Sequence, residues 1–257
     1  MKKLLIFLTC IWCFAALAQR KVILDTDPSY DPDDAGCMAM IHSMASEGQC
    51  EIVAMINSTD HQESSLSISA INYFYNRKAI PVGDYKGYAE KVQAPDLTYD
   101  GALAREYPRA LKSWEESLDG VRLYREILAT AEDRSITVVI IGTMHNFYGL
   151  LQSDGDEYSP LPGRELVKLK VEQVVTMGGN FIDGKGLDRT NWGGSEELCS
   201  YTDWSCVKEE RNRMCRYVIE NCEAPFIASG WEVGCGDYYD ANYGNVMTGQ
   251  GLKQLPT

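Results

Sequence analysis

The chain has 257 residues, enough for one sizeable α/β domain and too few for two comfortable ones. Its formal net charge of −13 speaks against a nucleic-acid backbone or an anionic membrane surface as a partner and fits a small neutral ligand. With three histidines and no C-x-x-C pair after residue 18, a zinc site is not expected.

Residues 1–18 read as a signal peptide ahead of a domain spanning 19–257. Lys2 and Lys3 form a positive start, Leu4 to Ala15 an apolar run too short to cross a bilayer, and Ala16-Leu17-Ala18 a small-residue cleavage site. The expected destination is the periplasm or the extracellular space, with no membrane attachment after cleavage. Seven cysteines follow: Cys37, Cys50, Cys199, Cys206, Cys215, Cys222 and Cys235. Export permits disulfides, and the four from Cys199 to Cys222 are close enough to pair among themselves. Their connectivity stays open, and the odd count leaves at least one thiol.

Val22 to Leu24 reads as a short buried strand and Ala35 to Met44 as an apolar helix start. Between them stand Asp25, Asp27, Asp31, Asp33 and Asp34. One or two of these would serve as helix cap and turn former. Five like charges at the C-terminal end of a strand, where open α/β sheets hold their ligands, point to a hard-metal site. Next come a strand over Glu51 to Asn57, a helix over Ser64 to Tyr75 and a third strand over Ile80 to Gly83. That alternation predicts a doubly wound, mostly parallel sheet, Rossmann-like and in a single domain. Residues 84–120 are polar and Tyr-rich, either a cover over a ligand or an irregular surface insertion. A helix is expected over Asp119 to Thr130 and the clearest buried strand over Ile136 to Ile141, ending in Gly142-Thr143-Met144-His145-Asn146. Val171 to Met177 reads as another strand, running into Gly178-Gly179-Asn180, where two glycines permit close backbone approach. A last strand and turn cover Ala224 to Gly230, and a loose polar stretch leads to Thr257.

DTDPSYDPDDAG, from Asp25 to Gly36, resembles the N-terminal signature of the nucleoside hydrolases, the inosine–uridine-preferring family. This copy has the longer turn, with Tyr30, Asp31 and Pro32 ahead of Asp33-Asp34. SAINYFYNRKAIPVG and VVTMGGN are similar to later blocks of the family. The resemblance implies hydrolysis of the N-glycosidic bond of ribonucleosides to ribose and free base, in purine or pyrimidine salvage, with Ca2+ as cofactor. It assigns Asp27 as calcium ligand and general base, Asp34 as calcium ligand, and the backbone carbonyl of His145 as a third. Asp33 and Asn191 would bind ribose hydroxyls, Met177 would line the sugar pocket, and Asn180 would join the substrate site. Asp25 and Asp31 are expected to shape the turn or accept hydrogen bonds behind the ligands.

Two departures weigh toward an alternative, a catalytically impaired relative that binds a ribose-containing or other polyhydroxyl ligand. Where the family carries a Glu-x-Asn triplet, this chain has Arg189-Thr190-Asn191, a reversal of charge. The family's later Asp, which completes the calcium shell, has no counterpart before Thr257. The apolar face that segment would cover leads to an expected homo-oligomer.

Overall fold

The computed structural model describes residues 19–30, 32–87, 91–94, 96, 98–179, 191–192 and 205–230. The expected signal peptide, Asp31, Asn180, Arg189 and the stretch after residue 230 lie outside the described residues, as do Cys199 and Cys235.

The chain begins with β1 (Arg20–Thr26), α1 (Asp33–Ser46), β2 (Cys50–Asn57), α2 (Ser64–Phe74) and β3 (Val82–Asp84). Then come α3 (Tyr99–Glu106), the short β4 (Leu118–Asp119), α4 (Gly120–Thr130), β5 (Ile136–Ile140), α5 (His145–Gln152) and α6 (Gly163–Lys170). It continues through β6 (Val171–Met177), α7 (Ser205–Asn221) and β7 (Phe226–Ser229). The seven strands form one sheet in the order β4-β3-β2-β1-β5-β6-β7, and every pairing is parallel. The expected doubly wound sheet is present.

Strand periodicity divides the core in two. Val22 and Leu24 face one layer with Met38 and Ile41 of α1 and Ile68 of α2. Ile23, Ile56, Val138 and Ile140 face the other, against Leu123 and Leu128 of α4, Phe147 of α5, Leu166 of α6 and Val218 of α7. Alternate side chains on a strand leave opposite faces, so each strand serves both layers. The chain winds outward from β1 through β2, β3 and β4, then returns to place β5 on the other side of β1. That reversal makes the crevice between the C-terminal ends of β1 and β5 the topological switch point.

Element ends differ from the sequence reading where polar residues are buried. β1 extends through Asp25 and Thr26, both fully buried, because strand hydrogen bonds continue to the end of β2. The helix after Pro32 starts at Asp33, whose carboxylate and that of Asp34 occupy the favourable N-terminal end of the helix dipole. Asp119 caps α4, accepting a hydrogen bond from the Arg122 amide at 2.9 Å. The helices α3, α5 and α6 were not anticipated; each has eight residues, too few for helical spacing to stand out. The longer α7 was also missed, since its polar, charged sequence has little apolar stripe. Cys37, Cys50 and Cys222 carry free thiols.

Candidate active site

The C-terminal ends of β1, β2 and β3 each bury polar side chains: Asp25 and Thr26, Asn57, and Asp84. Burying that many polar groups requires partners for them, and the structure supplies a dense network.

Asp34, in the first turn of α1, is the centre of its β1 side. Its Oδ1 accepts hydrogen bonds from the Thr26 hydroxyl and from the Asp27 amide, the latter at 3.1 Å. Its Oδ2 takes no hydrogen bond from the described residues. Burial pushes the Asp34 carboxyl well above the usual carboxylate range, and the nearby charges of Asp27 and Asp33 push the same way. A cation beside the carboxylate would offset both the burial and the repulsion. Asp33 itself is exposed, with its carboxylate at the rim.

Asp27 reaches across to β5. A Cβ on Gly142 would fall 2.8 Å from Asp27 Oδ1 and 2.6 Å from Ser58 Oγ. Only glycine lets the backbone after β5 come that close to the carboxylate, and the side chain therefore lies at the switch point. His145 opens α5 just beyond. Its imidazole is buried, with Nδ1 2.7 Å from Thr143 Oγ1 and its ring centred 4.9 Å from that of Tyr85. Burial, with the charge of Arg211, lowers its pKa to about 4, so the ring is neutral near pH 7.

Asn191 and Met177 complete the β5–β6 side. Asn191 is buried with Nδ2 2.6 Å from the Ile141 carbonyl oxygen and 3.4 Å from that of Met177. Its amide nitrogen ties two strand ends together. Met177, half-buried, ends β6, and Gly178 beside it accommodates the Trp192 indole, which a Cβ would overlap at 2.1 Å.

On the far side, Asp84 is fully buried between Lys91 Nζ at 2.7 Å, Asn57 Nδ2 at 2.8 Å and Ser117 Oγ at 3.3 Å. Burial raises its pKa against the pull of Lys91, Asn57 and Lys86. This cluster escaped the sequence reading. The available signal was a polar residue closing each apolar strand, Asn57 after EIVAMI and Asp84 after IPVG.

No family model matches the chain, and neither does any curated protein sequence. Solved structures do match. The type III effector protein XopQ complexed with adenosine diphosphate ribose is 18% identical, with a TM-score of 0.56 over 83% of this chain and 57% of that one. A plant nucleoside hydrolase, PpNRh1, is 21% identical, with a TM-score of 0.52 over 83% and 60%. An inosine-guanosine nucleoside hydrolase is 18% identical, with a TM-score of 0.55 over 84% and 61%. This chain has the nucleoside hydrolase fold. It spans about three fifths of the length of these three proteins.

Within the nucleoside hydrolase fold of this chain, the predicted residues Asp27, Asp34, His145, Asn191 and Met177 all lie at the C-terminal edge of the sheet, and Asp33 stands on its rim. Among the described residues no three His, Cys, Asp or Glu side chains converge as a metal-holding group. The donors present are nonetheless of the type a hard cation takes: a carboxylate oxygen without a hydrogen bond on Asp34, the Asp27 carboxylate beside it, and backbone oxygen.

Proposed function

We propose that this protein is an exported, calcium-dependent hydrolase of the N-glycosidic bond of ribonucleosides, working in purine or pyrimidine salvage. The observation that carries the reading is the placement of Asp27 and Asp34 together at the β1–β5 switch point of a nucleoside hydrolase fold. Asp27 and Asp34, with the His145 carbonyl, would hold the calcium ion, which when bound orients a water and makes it more acidic. Asp27 then takes a proton from the attacking water as C1′ acquires oxocarbenium character. Asp33 accepts hydrogen bonds from ribose hydroxyls, Asn191 offers its Oδ1, and Met177 walls the sugar. Negative charge from the Asp loop favours the cationic ribosyl group as it develops.

A second reading is a binder of ribose-containing ligands without turnover. It is favoured by the commitment of the Asn191 amide hydrogens to backbone carbonyls. The effector protein of the same fold is known in complex with adenosine diphosphate ribose, which makes that molecule a suitable probe.

The test is calcium binding and ribose release together. Calcium should raise the melting temperature of the wild-type chain and of a surface control, Asp133→Ala, but not of Asp34→Ala. Inosine and uridine should release ribose only with calcium present. A melting temperature that ignores both calcium and chelator would overturn the metal assignment. Calcium and ribose binding without ribose release would leave the second reading standing.

A further inference from the structure

The polar, Tyr-rich region between β3 and α4 comes back onto the Asp loop, and there it builds a second polar centre. The Tyr99 amide donates to the Ser29 carbonyl oxygen at 3.2 Å. Asp100, in the first turn of α3, is wholly buried and points its carboxylate at the turn between β2 and α2. Its Oδ2 accepts from His61 Nδ1 at 2.9 Å, and Ser64 Oγ lies 2.8 Å from the same oxygen. Ser64 Oγ is also 2.9 Å from the carbonyl oxygen of Pro28, the residue after Asp27. His61 in turn touches the Asp loop directly. Ser29 Oγ lies 3.4 Å from Nδ1, and the exposed Tyr30 ring meets the imidazole edge-on with centroids 6.3 Å apart.

These contacts orient the imidazole by one nitrogen. Asp100 fixes the tautomer that carries a proton on Nδ1, and Nε2 finds no hydrogen-bond partner among the described residues. A ring that existed only to tie α2 to α3 would need no accessible second nitrogen beside a ligand loop. Hydrolysis of a nucleoside needs a proton for the departing base; the reading above gives Asp27, Asp33 and Asp34 to the metal, the water and the ribose, and the buried imidazole of His145 is neutral.

We infer that His61, oriented by Asp100, is the catalytic residue that protonates the departing nucleobase. The inference rests on the hydrolase reading above. In the imidazolium form His61 carries a proton on both nitrogens. As the C1′–N bond breaks, its electron pair goes to the base, the Nε2 proton passes to a ring nitrogen of that base, and the ring is left neutral with its Nδ1 proton still hydrogen-bonded to Asp100. Water forms the new C1′–O bond and gives its proton to Asp27; solvent then takes that proton from Asp27 and returns one to His61 Nε2. The charged groups around the imidazole are compatible with that work. Burial disfavours its cationic form, but the hydrogen bond and charge of Asp100, with Asp60 and Glu63, outweigh burial and raise its pKa.

The experiment compares two ribosides on the calcium-loaded chain: inosine, whose base leaves poorly without a proton, and p-nitrophenyl riboside, whose phenolate leaves unaided. General-acid catalysis contributes about 10²–10⁴-fold, so His61→Asn should lower kcat/KM for inosine by about 100-fold or more. Its loss on the nitrophenyl riboside should be much smaller, so the ratio of the two climbs. Asp100→Asn, a positioning change, should move the ratio in the same direction by less, and it carries the test if His61→Asn does not fold. An equal fall on both substrates, or an unchanged ratio, overturns the role of His61 and leaves the hydrolase reading intact. A wild-type chain that cleaves neither riboside overturns the hydrolase reading, and this inference with it.

Discussion

Asp25 offers the sharpest test of how the site's floor is built. Its side chain is completely buried, with Tyr124 Oη 3.1 Å from Oδ2 and Asn146 Nδ2 3.2 Å from Oδ1. Burial pushes its pKa up to about 8, against the pull of the hydrogen bonds from Asn146 and Tyr124. The Tyr124 hydroxyl is also raised, by burial and then by the Asp25 charge, so it stays neutral. The folded-state pKa therefore lies above the unfolded value of 3.8. Below pH 3.8 both states are protonated and the carboxyl costs nothing. Above it the unfolded chain ionises while the folded one does not, and stability is lost until pH 8 is passed.

Each pH unit in that window is worth about 1.4 kcal/mol, so the penalty grows by about 2–3 kcal/mol between pH 5.5 and 7.5. Asp25→Asn removes the titration and keeps the geometry, because its Oδ1 can accept from Asn146 and its amide can donate to Tyr124. Urea unfolding of both chains with chelator present, at the two pH values, measures the difference. Other titrating groups are common to both chains and cancel. The variant should gain on the wild type by about 2–3 kcal/mol as pH rises from 5.5 to 7.5. A difference that does not change with pH, or a variant less stable at pH 7.5, would mean that Asp25 is ionised in the folded chain and that this reasoning is wrong.

Two further outcomes follow from buried groups away from the site. Arg125 is 2% exposed and clamps the loop after α5, with Nε 2.6 Å from Asp156 Oδ2, Nη2 2.9 Å from Oδ1, and further bonds to the Ser159 and Leu161 carbonyl oxygens. Arg125→Met leaves those acceptors stranded and should cost about 3–5 kcal/mol in denaturant unfolding; a loss under about 1 kcal/mol would show that water replaces the guanidinium. His42 is buried, with Nε2 2.9 Å from Asn72 Oδ1, and burial first, then Arg77, lowers its pKa from 6.5 to about 4 despite that hydrogen bond. Its contribution to stability is therefore held above pH 6.5 and lost as pH falls toward 4, so His42→Gln should flatten that acid limb; an NMR titration placing His42 above 6 would contradict it.

Much of the frame was legible because it rests on local chemistry. Apolar runs such as Ile136 to Ile140 and Val171 to Met177 read as buried parallel strands whatever they pair with, and the Asp-rich turn marks a strand end by charge alone. The ends were less legible. Nothing in a hydropathy pattern says that Asp25 and Thr26 continue a strand, since their burial depends on partners far along the chain. The polar composition after β3 is compatible with a cover or an insertion alike, and the structure shows α3 touching the Asp loop through the Tyr99 amide, with Asp100 holding His61 beside it.

By itself, the sequence determined the alternating strands and helices, the sheet class they imply, and the position of the acidic turn, all from spacing within a few residues. Tertiary structure decided what each polar group does there. Tyr124 meets Asp25 across 99 positions, Asn146 meets it across 121, and Asp100 holds His61 across 39. Crossover topology brings those pairs together, and local composition carries no record of which distant side chain will arrive. The same topology turns the Asn191 amide toward Ile141 and leaves Asp34 with one carboxylate oxygen hydrogen-bonded and the other without a hydrogen bond from the described residues. Hydrophobic periodicity places a strand, but a buried polar atom is placed by the partner that satisfies it.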